Sequence, residues 1–463
     1  MISGKMENLF APNARKILLA VSFFAGFICL MLVRFSYGDI LKITWLYVMY
    51  MCGMIFIVLH KNSINKYEIA IFCFLCIQLF ALAPSPDSLR GATISITYLL
   101  SYRYGVSSRS FIATIVDFFT RGGFVSRQFI WHFIFSGALF LLFTISAYLG
   151  TLIQKAKDDV KYFLIFLSLL WLSCFTAPSA YFPYINFGRI EMFSLIIIFV
   201  TVFVINKPVF RLIIPLLAVF IMATHLVLVF FYIPFIIILL LYGIFEKQNK
   251  DKPAVFLLIA TIIALLTMFL LYLLFREGTF VFENARVFYD YLSARTNLNI
   301  DEATLHALMF ASLEDHLSGW RSMVGLSFSG NFSIIINLPL ILLFIAFWLK
   351  CFHHETQKLM KLFFLMPVFV FLYHAIAFFL FWDFARWMIM ILNVQFLLVF
   401  YLISVRNSVV LSVVQNVTPF VKRNAFFVVL AYMAMLFLGP VQNIGPNPNI
   451  GSILRTLVQF IGL

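Results

Sequence analysis

A succession of apolar runs, each about long enough to cross a lipid bilayer as a helix, limits this chain more than anything else in it. The runs fall at about 17–33, 43–59, 68–83, 129–153, 162–178, 191–206, 212–244, 253–275, 333–349, 362–381, 388–404 and 425–439. A helix needs about 20 apolar residues to cross the hydrocarbon, and it satisfies its own backbone where no water can. The expected fold is therefore all-α: a polytopic transmembrane helix bundle, with residues 1–463 as one integral membrane domain. Composition agrees, since 63% of the residues are hydrophobic and 11% charged, whereas soluble domains carry about one quarter charged residues. The first run follows Arg15 and Lys16 without a small-residue cleavage site, so it is expected to stay as the first span.

The run at 212–244 is too long for one straight span. It contains Pro215 and Pro234, with Thr224 and His225 near its middle, which predicts a hairpin of two short or broken helices. That makes about 13 spans. Placing the basic loops inside puts the N-terminus in the cytoplasm and the C-terminus outside. The net charge of +14 then orients helices and gives no reason to expect a nucleic acid.

The two faces use different cations. On this topology the inner loops hold 15 Lys and 4 Arg, and the outer ones hold 13 Arg and only Lys42. Lysine is a hydrated point charge suited to an orienting loop. Arginine offers a planar fork that grips phosphate or carboxylate, so the arginine face reads as a ligand face. The alternative is that these arginines only pair with acids on the same side. Two outer segments are long enough to carry structure: 84–128, read as an extended start followed by short interfacial helices, and 276–331, read as a helical cap with helical periodicity at 280–292 and 303–317.

Four clusters could carry chemistry. Arg103 and Arg109, with Gly105, Ser107 and Ser108 between them, could wrap one anion, or could belong to an interfacial helix with snorkelling side chains. Arg189 and Glu191 open a span, where a helix N-terminus favours an anion; Glu191 could equally be an ordinary first-turn acid. His225, at the predicted hairpin turn, is either a packing residue or an intramembrane functional group. Asp383 and Arg386, flanked by Trp382 and Trp387 as interface anchors, form either a self-paired turn or a site in which Asp383 acts as a base. His374 lies deeper on the preceding span. The six cysteines avoid the long polar loops, so no disulfide framework is expected, and Cys73 and Cys76 read as small apolar packing. Neither a phosphate-binding loop nor a metal-ligand pattern occurs, and no metal or cofactor is expected.

A Gly-Arg-x-Glu helix start at Gly188, a broken hairpin carrying His225, and a late external Asp-x-x-Arg-Trp at Asp383 together resemble the Wzy type of bacterial O-antigen and capsule repeat-unit polymerases. The resemblance is one of layout and covers about 102–387. It implies a GT-C-like membrane glycosyltransferase that joins undecaprenyl-diphosphate-linked oligosaccharide units at the outer face of the bacterial cytoplasmic membrane. The partners implied are that lipid-linked substrate, the surrounding membrane lipids and a chain-length regulator. Carried over, Arg189 and Arg386 would bind the diphosphate with help from Arg103 and Arg109, while His225, Glu191 or Asp383 would orient or deprotonate the acceptor hydroxyl. The segment 276–331 departs from the pattern by lacking a close arginine pair. Another lipid-linked-sugar transferase, an acyltransferase and a polysaccharide or lipid transporter remain the alternatives.

Overall fold

The computed structural model describes residues 12–61, 63–89, 91–183, 186–246, 252–276, 280–310, 328–380 and 384–438. Among these, all regular structure is helical apart from one isolated bridge between Val125 and Thr296. Helices α1 (Pro12–Phe35) and α2 (Asp39–Lys61) lie side by side, tied where Arg15 donates to the Leu59 carbonyl at 2.8 Å. Asn65 caps α3 (Lys66–Leu82) by accepting from the Tyr67 and Glu68 N–H groups, which a helix start otherwise leaves unsatisfied. Two short helices, α4 (Ala92–Thr97) and α5 (Ser110–Thr120), precede α6 (Arg127–Lys155), α7 (Asp158–Ser173) and α8 (Glu191–Val204).

The long run breaks where its proline and Thr-His content predicts a break. It forms α9 (Ile214–Thr224), α10 (Leu228–Phe231) and α11 (Ile233–Glu246), and His225 takes an extended conformation (φ −162°, ψ 118°) that ends α9. Arg211 before α9 and Glu246 at the end of α11 line the same cavity, of about 270 Å³, so the run doubles back with His225 at its far end. Then come α12 (Lys252–Arg276), α13 (Ala285–Ser293) and α14 (Glu302–Leu305), followed by α15 (Phe328–His354), α16 (Lys358–Leu380) and α17 (Phe384–Ser404). The chain closes with α18 (Ser408–Arg423) and α19 (Ala425–Leu438), which meet at 86°.

Eight described helical segments are long and apolar enough to cross a membrane, or nine if the bent pair counts as one. They are not equivalent. Within the α17 segment 94% of the apolar window is buried, against 17% for α1 and α2. The α17, α6 and α7 helices form the centre, and α1, α2, α12 and α15 turn apolar side chains such as Phe23, Phe24, Leu266 and Leu342 outward. Lipid tails are as apolar as leucine, so packing and interhelical hydrogen bonds hold such a bundle. Trp171 Nε1 donates to Asn393 Oδ1 at 2.6 Å, and Trp348 Nε1 to Gln395 Oε1 at 2.7 Å, joining α7 and α15 to α17. Each such bond contributes about 0.6–2 kcal/mol.

Residues between the last two apolar runs form the amphipathic α18, capped by Asn407 and burying Val410, Val413 and Val414. Two expectations change. Periodicity predicted helix from 280, but α13 begins only after Asn284, whose side chain caps it, and Phe280 and Phe282 instead pack on Gly105 and Tyr104. The 303–317 helix appears as α14 and a π-helical turn, His306–Phe310; residues 311–317 lie outside those described.

The bundle has two chemically distinct ends. Arg127, Glu191 and Arg386 lie in the first turns of α6, α8 and α17 at one end, while Lys155, Lys207 and Arg406 end or follow the same helices at the other.

Candidate functional site

The site is built where α8 begins. Before it, Asn186 holds the turn by donating Nδ2–H to the Ala180 carbonyl at 2.8 Å, and the Arg189 N–H bonds the Asn186 carbonyl at 3.0 Å. Gly188 sits at φ +92°, and a Cβ there would meet Ile134 Cδ1 at 2.7 Å and Ile94 Cγ2 at 2.9 Å, so only glycine fits. Its carbonyl accepts from Tyr98 Oη at 2.7 Å. With its backbone fixed on both sides, Glu191 is delivered into the protein at 1% exposure. The 14-residue α8 rises only about 21 Å, short of the 29-residue α6, so its first turn lies recessed.

Three other predicted residues converge on that carboxylate. Glu191 Oε1 lies 3.1 Å from Arg386 Nη1 and 3.5 Å from His225 Nδ1, all three side chains being buried. On its other side, the His225 ring accepts at Nε2 from Arg109 Nε at 3.2 Å. A guanidinium can only donate, so Nε2 carries the lone pair and the neutral imidazole holds its proton at Nδ1, facing Glu191. Arg189, half-buried just before α8, is within electrostatic reach of the same carboxylate. Arg386 pairs with the carboxylate by charge and the neutral His225 lies beside it, neither with hydrogen-bond alignment, and both Glu191 oxygens are buried with no hydrogen bond among the described residues. A buried carboxylate in that condition has unused acceptor capacity.

Two loops that are distant in sequence are fastened together to make this arrangement. Leu226 N–H donates to the Ser108 carbonyl at 3.1 Å, and Tyr102 Oη to the Ala223 carbonyl at 3.4 Å. Phe111 stacks on Phe220 with ring centres 5.1 Å apart. The tip of the broken hairpin is thereby held against the Arg109 loop.

Not every expected residue joins. Gly105, at φ +135°, turns the chain between Arg103 and Arg109, and the Arg103 guanidinium lies against Gly122 with Asp117 and Tyr104 in electrostatic reach. The two arginines therefore do not close on one point as their spacing suggested. Asp383 and Trp382 lie outside the described residues, as does the side chain of His374. Trp387, expected as an interface anchor, is buried. It stacks on Phe231 at 4.5 Å and 5°, under the Arg386 guanidinium 4.7 Å from its ring centre.

The structure adds residues that the sequence did not single out. Tyr181 and Tyr232 share a hydrogen bond of 3.2 Å in the interior, with Glu191 in electrostatic reach of both. In a chain with 59 Phe and 19 Tyr, two more aromatics in apolar surroundings carry no signal.

No protein-family model matches this chain, and neither the curated proteins nor the solved structures contain a significant match to it.

Proposed function

We propose that the chain is a membrane glycosyltransferase that joins oligosaccharide units carried on undecaprenyl diphosphate, as the layout resemblance to O-antigen and capsule polymerases implies. It works in the bacterial cytoplasmic membrane in about 13 spans, with the N-terminus inside, the arginine end outside, and segment 276–331 as an outer cap. A chain-length regulator is its protein partner. The observation that carries this reading is the buried Glu191 carboxylate, held by Arg386 and neutral His225 with Arg109 and Arg189 around it.

The chemistry follows from the charges. Arg109, Arg189 and Arg386 gather close to Glu191 in a low-dielectric setting, and guanidinium forks suit a dianionic leaving group. Glu191 has acceptor capacity for an incoming hydroxyl. In the transfer, the acceptor oxygen bonds to the sugar's anomeric carbon and its proton passes to Glu191. The bond from that carbon to the phosphate oxygen breaks, with the electron pair leaving on the diphosphate. His225 is a positioning residue that keeps its Nδ1–H toward Glu191. Asp383 stays with the reading as the second acidic candidate near Arg386.

The test is Glu191→Gln, which preserves shape and removes the base. Lipid-linked sugar from cells carrying it should appear as single repeat units without a ladder, at normal membrane abundance. A normal ladder would remove Glu191 from the chemistry. If abundance falls, Arg189→Lys takes its place, because a point charge cannot replace the planar fork and the ladder should again be lost.

A further inference from the structure

At the end of the bundle opposite Glu191, a cavity of about 920 Å³ opens between α2, α6, α7, α8, α17 and α18. Lys61, Lys155, Lys157, Lys207 and Arg406 line it, against Asp158 and Asp159. Part of this charge is already committed, since Lys61 pairs with Glu68, and Asp159 pairs with Lys422 outside the lining. Lys207 makes a different contact, its Nζ lying 2.6 Å from His60 Nε2. An ammonium only donates, so that imidazole nitrogen accepts and His60 adds no negative charge. Arg15, bonded to the Leu59 carbonyl, adds a further cation close to His60. Lys155, Lys157 and Arg406 have no ion pair among the described residues.

Several cations facing one space repel each other, and the half-buried Lys207 is desolvated enough that its pKa is lowered from the usual lysine range. An anion in the cavity would relieve both effects. The rest of the lining says what kind. Leu152, Val160, Phe203 and Leu411 give the cavity an apolar side, and the amphipathic α18 borders it through Leu411 and Gln415. Basic pockets between membrane helices at the headgroup level are a recognised setting for phospholipid headgroups.

We propose that this cavity is a binding site for a phosphate-bearing anion, taken either from an anionic lipid of the adjoining leaflet or from a soluble phosphate. Lys155, Lys157, Lys207 and Arg406 receive the phosphate oxygens, and the apolar side receives the start of an acyl chain when the ligand is a lipid. The site is separate from the Glu191 cluster and does not depend on the reaction assigned there.

The full-length protein in detergent, titrated with phosphatidylglycerol, phosphatidylcholine or inorganic pyrophosphate and read by native mass spectrometry, tests it. The expected result is selective retention of phosphatidylglycerol over phosphatidylcholine. Retention should weaken about tenfold or more in Lys155→Gln with Lys207→Gln and recover in Lys155→Arg with Lys207→Arg. The control Arg121→Gln with Arg286→Gln should bind like the parent, Arg121 lying just after α5, where its Nε donates to the Arg34 carbonyl, at the opposite end. Pyrophosphate binding with the same variant dependence, without lipid selectivity, would support the site with a soluble source. Equal retention of both lipids together with no pyrophosphate binding would overturn the proposal, as would unchanged binding in the Gln pair. If the Gln pair does not fold, the three-ligand comparison on the parent protein decides alone.

Discussion

The two ends of this bundle hold their cations in opposite ways. At the Glu191 end, Arg386 is buried against a carboxylate and a tryptophan face, and Arg109 donates to the ring of His225. At the other end, Lys155, Lys157 and Arg406 stand exposed around an open cavity. A planar fork can be held by several partners at once and keeps its charge when desolvated, whereas an ammonium is most stable where water still reaches it. Burial thus separates the held cations from the exposed ones, and not by residue type alone, since Lys61 is held against Glu68 and Arg406 is exposed. It also makes one end a fixed geometry and the other an adaptable field.

The largest effect should come from breaking the fixed end. Arg386→Ala leaves the Glu191 carboxylate buried without its main counter-charge, a loss of about 3–5 kcal/mol, seen as a much lower melting temperature in detergent. Adding Glu191→Gln should restore most of that stability without restoring any ladder. Lys155→Ala, at the open end, should leave the melting temperature where it was. Equal losses at both ends would erase the distinction.

Exchanging the cations should produce a smaller, asymmetric effect. Arg109→Lys removes the Nε–H that holds the His225 ring, and polymer formation in membrane extracts should fall about tenfold. Lys207→Arg should change it by less than twofold. A tolerant Arg109→Lys would mean that the ring is held by packing alone.

The smallest effect is expected where arginine is exposed. Arg286 lies 3.3 Å from Asp290 and 3.2 Å from Glu302 with all three side chains largely in solvent. Screening makes such pairs nearly neutral. Arg286→Gln should melt and polymerise like the parent; a marked loss would show that exposure, and not residue type, is the wrong axis of comparison.

Much of the scaffold was readable because apolar length and prolines act locally. Each apolar run corresponds to helix, and the break at His225 follows from Thr224-His225 and Pro234. What escaped was set by partners from elsewhere in the chain. Helix α18 is the exception: Val410, Val413, Val414, Val417 and Val421 already stand at helical spacing, but the segment is too polar to read as a span. The start of α13 shifted because Phe280 and Phe282 found Gly105 and Tyr104. Within the site, Glu191 and Arg386 stood out beside an apolar span, His225 inside one and Arg109 in an outer segment, yet nothing local said that they meet. Arg103 looked equally eligible until the turn at Gly105 sent it toward Asp117.

The most enclosed helix is also among the last to be made. Synthesis runs from the N-terminus, so α7 and α8, which supply Trp171 and Glu191, enter the membrane well before α17, whose apolar window is 94% buried. Until residues 384–404 arrive, Trp171 lacks Asn393 and Glu191 lacks Arg386. Arrival of α17 then closes the interior and neutralises its buried acid in one step, so that completion of the core and completion of the site are the same event in the protein's biogenesis.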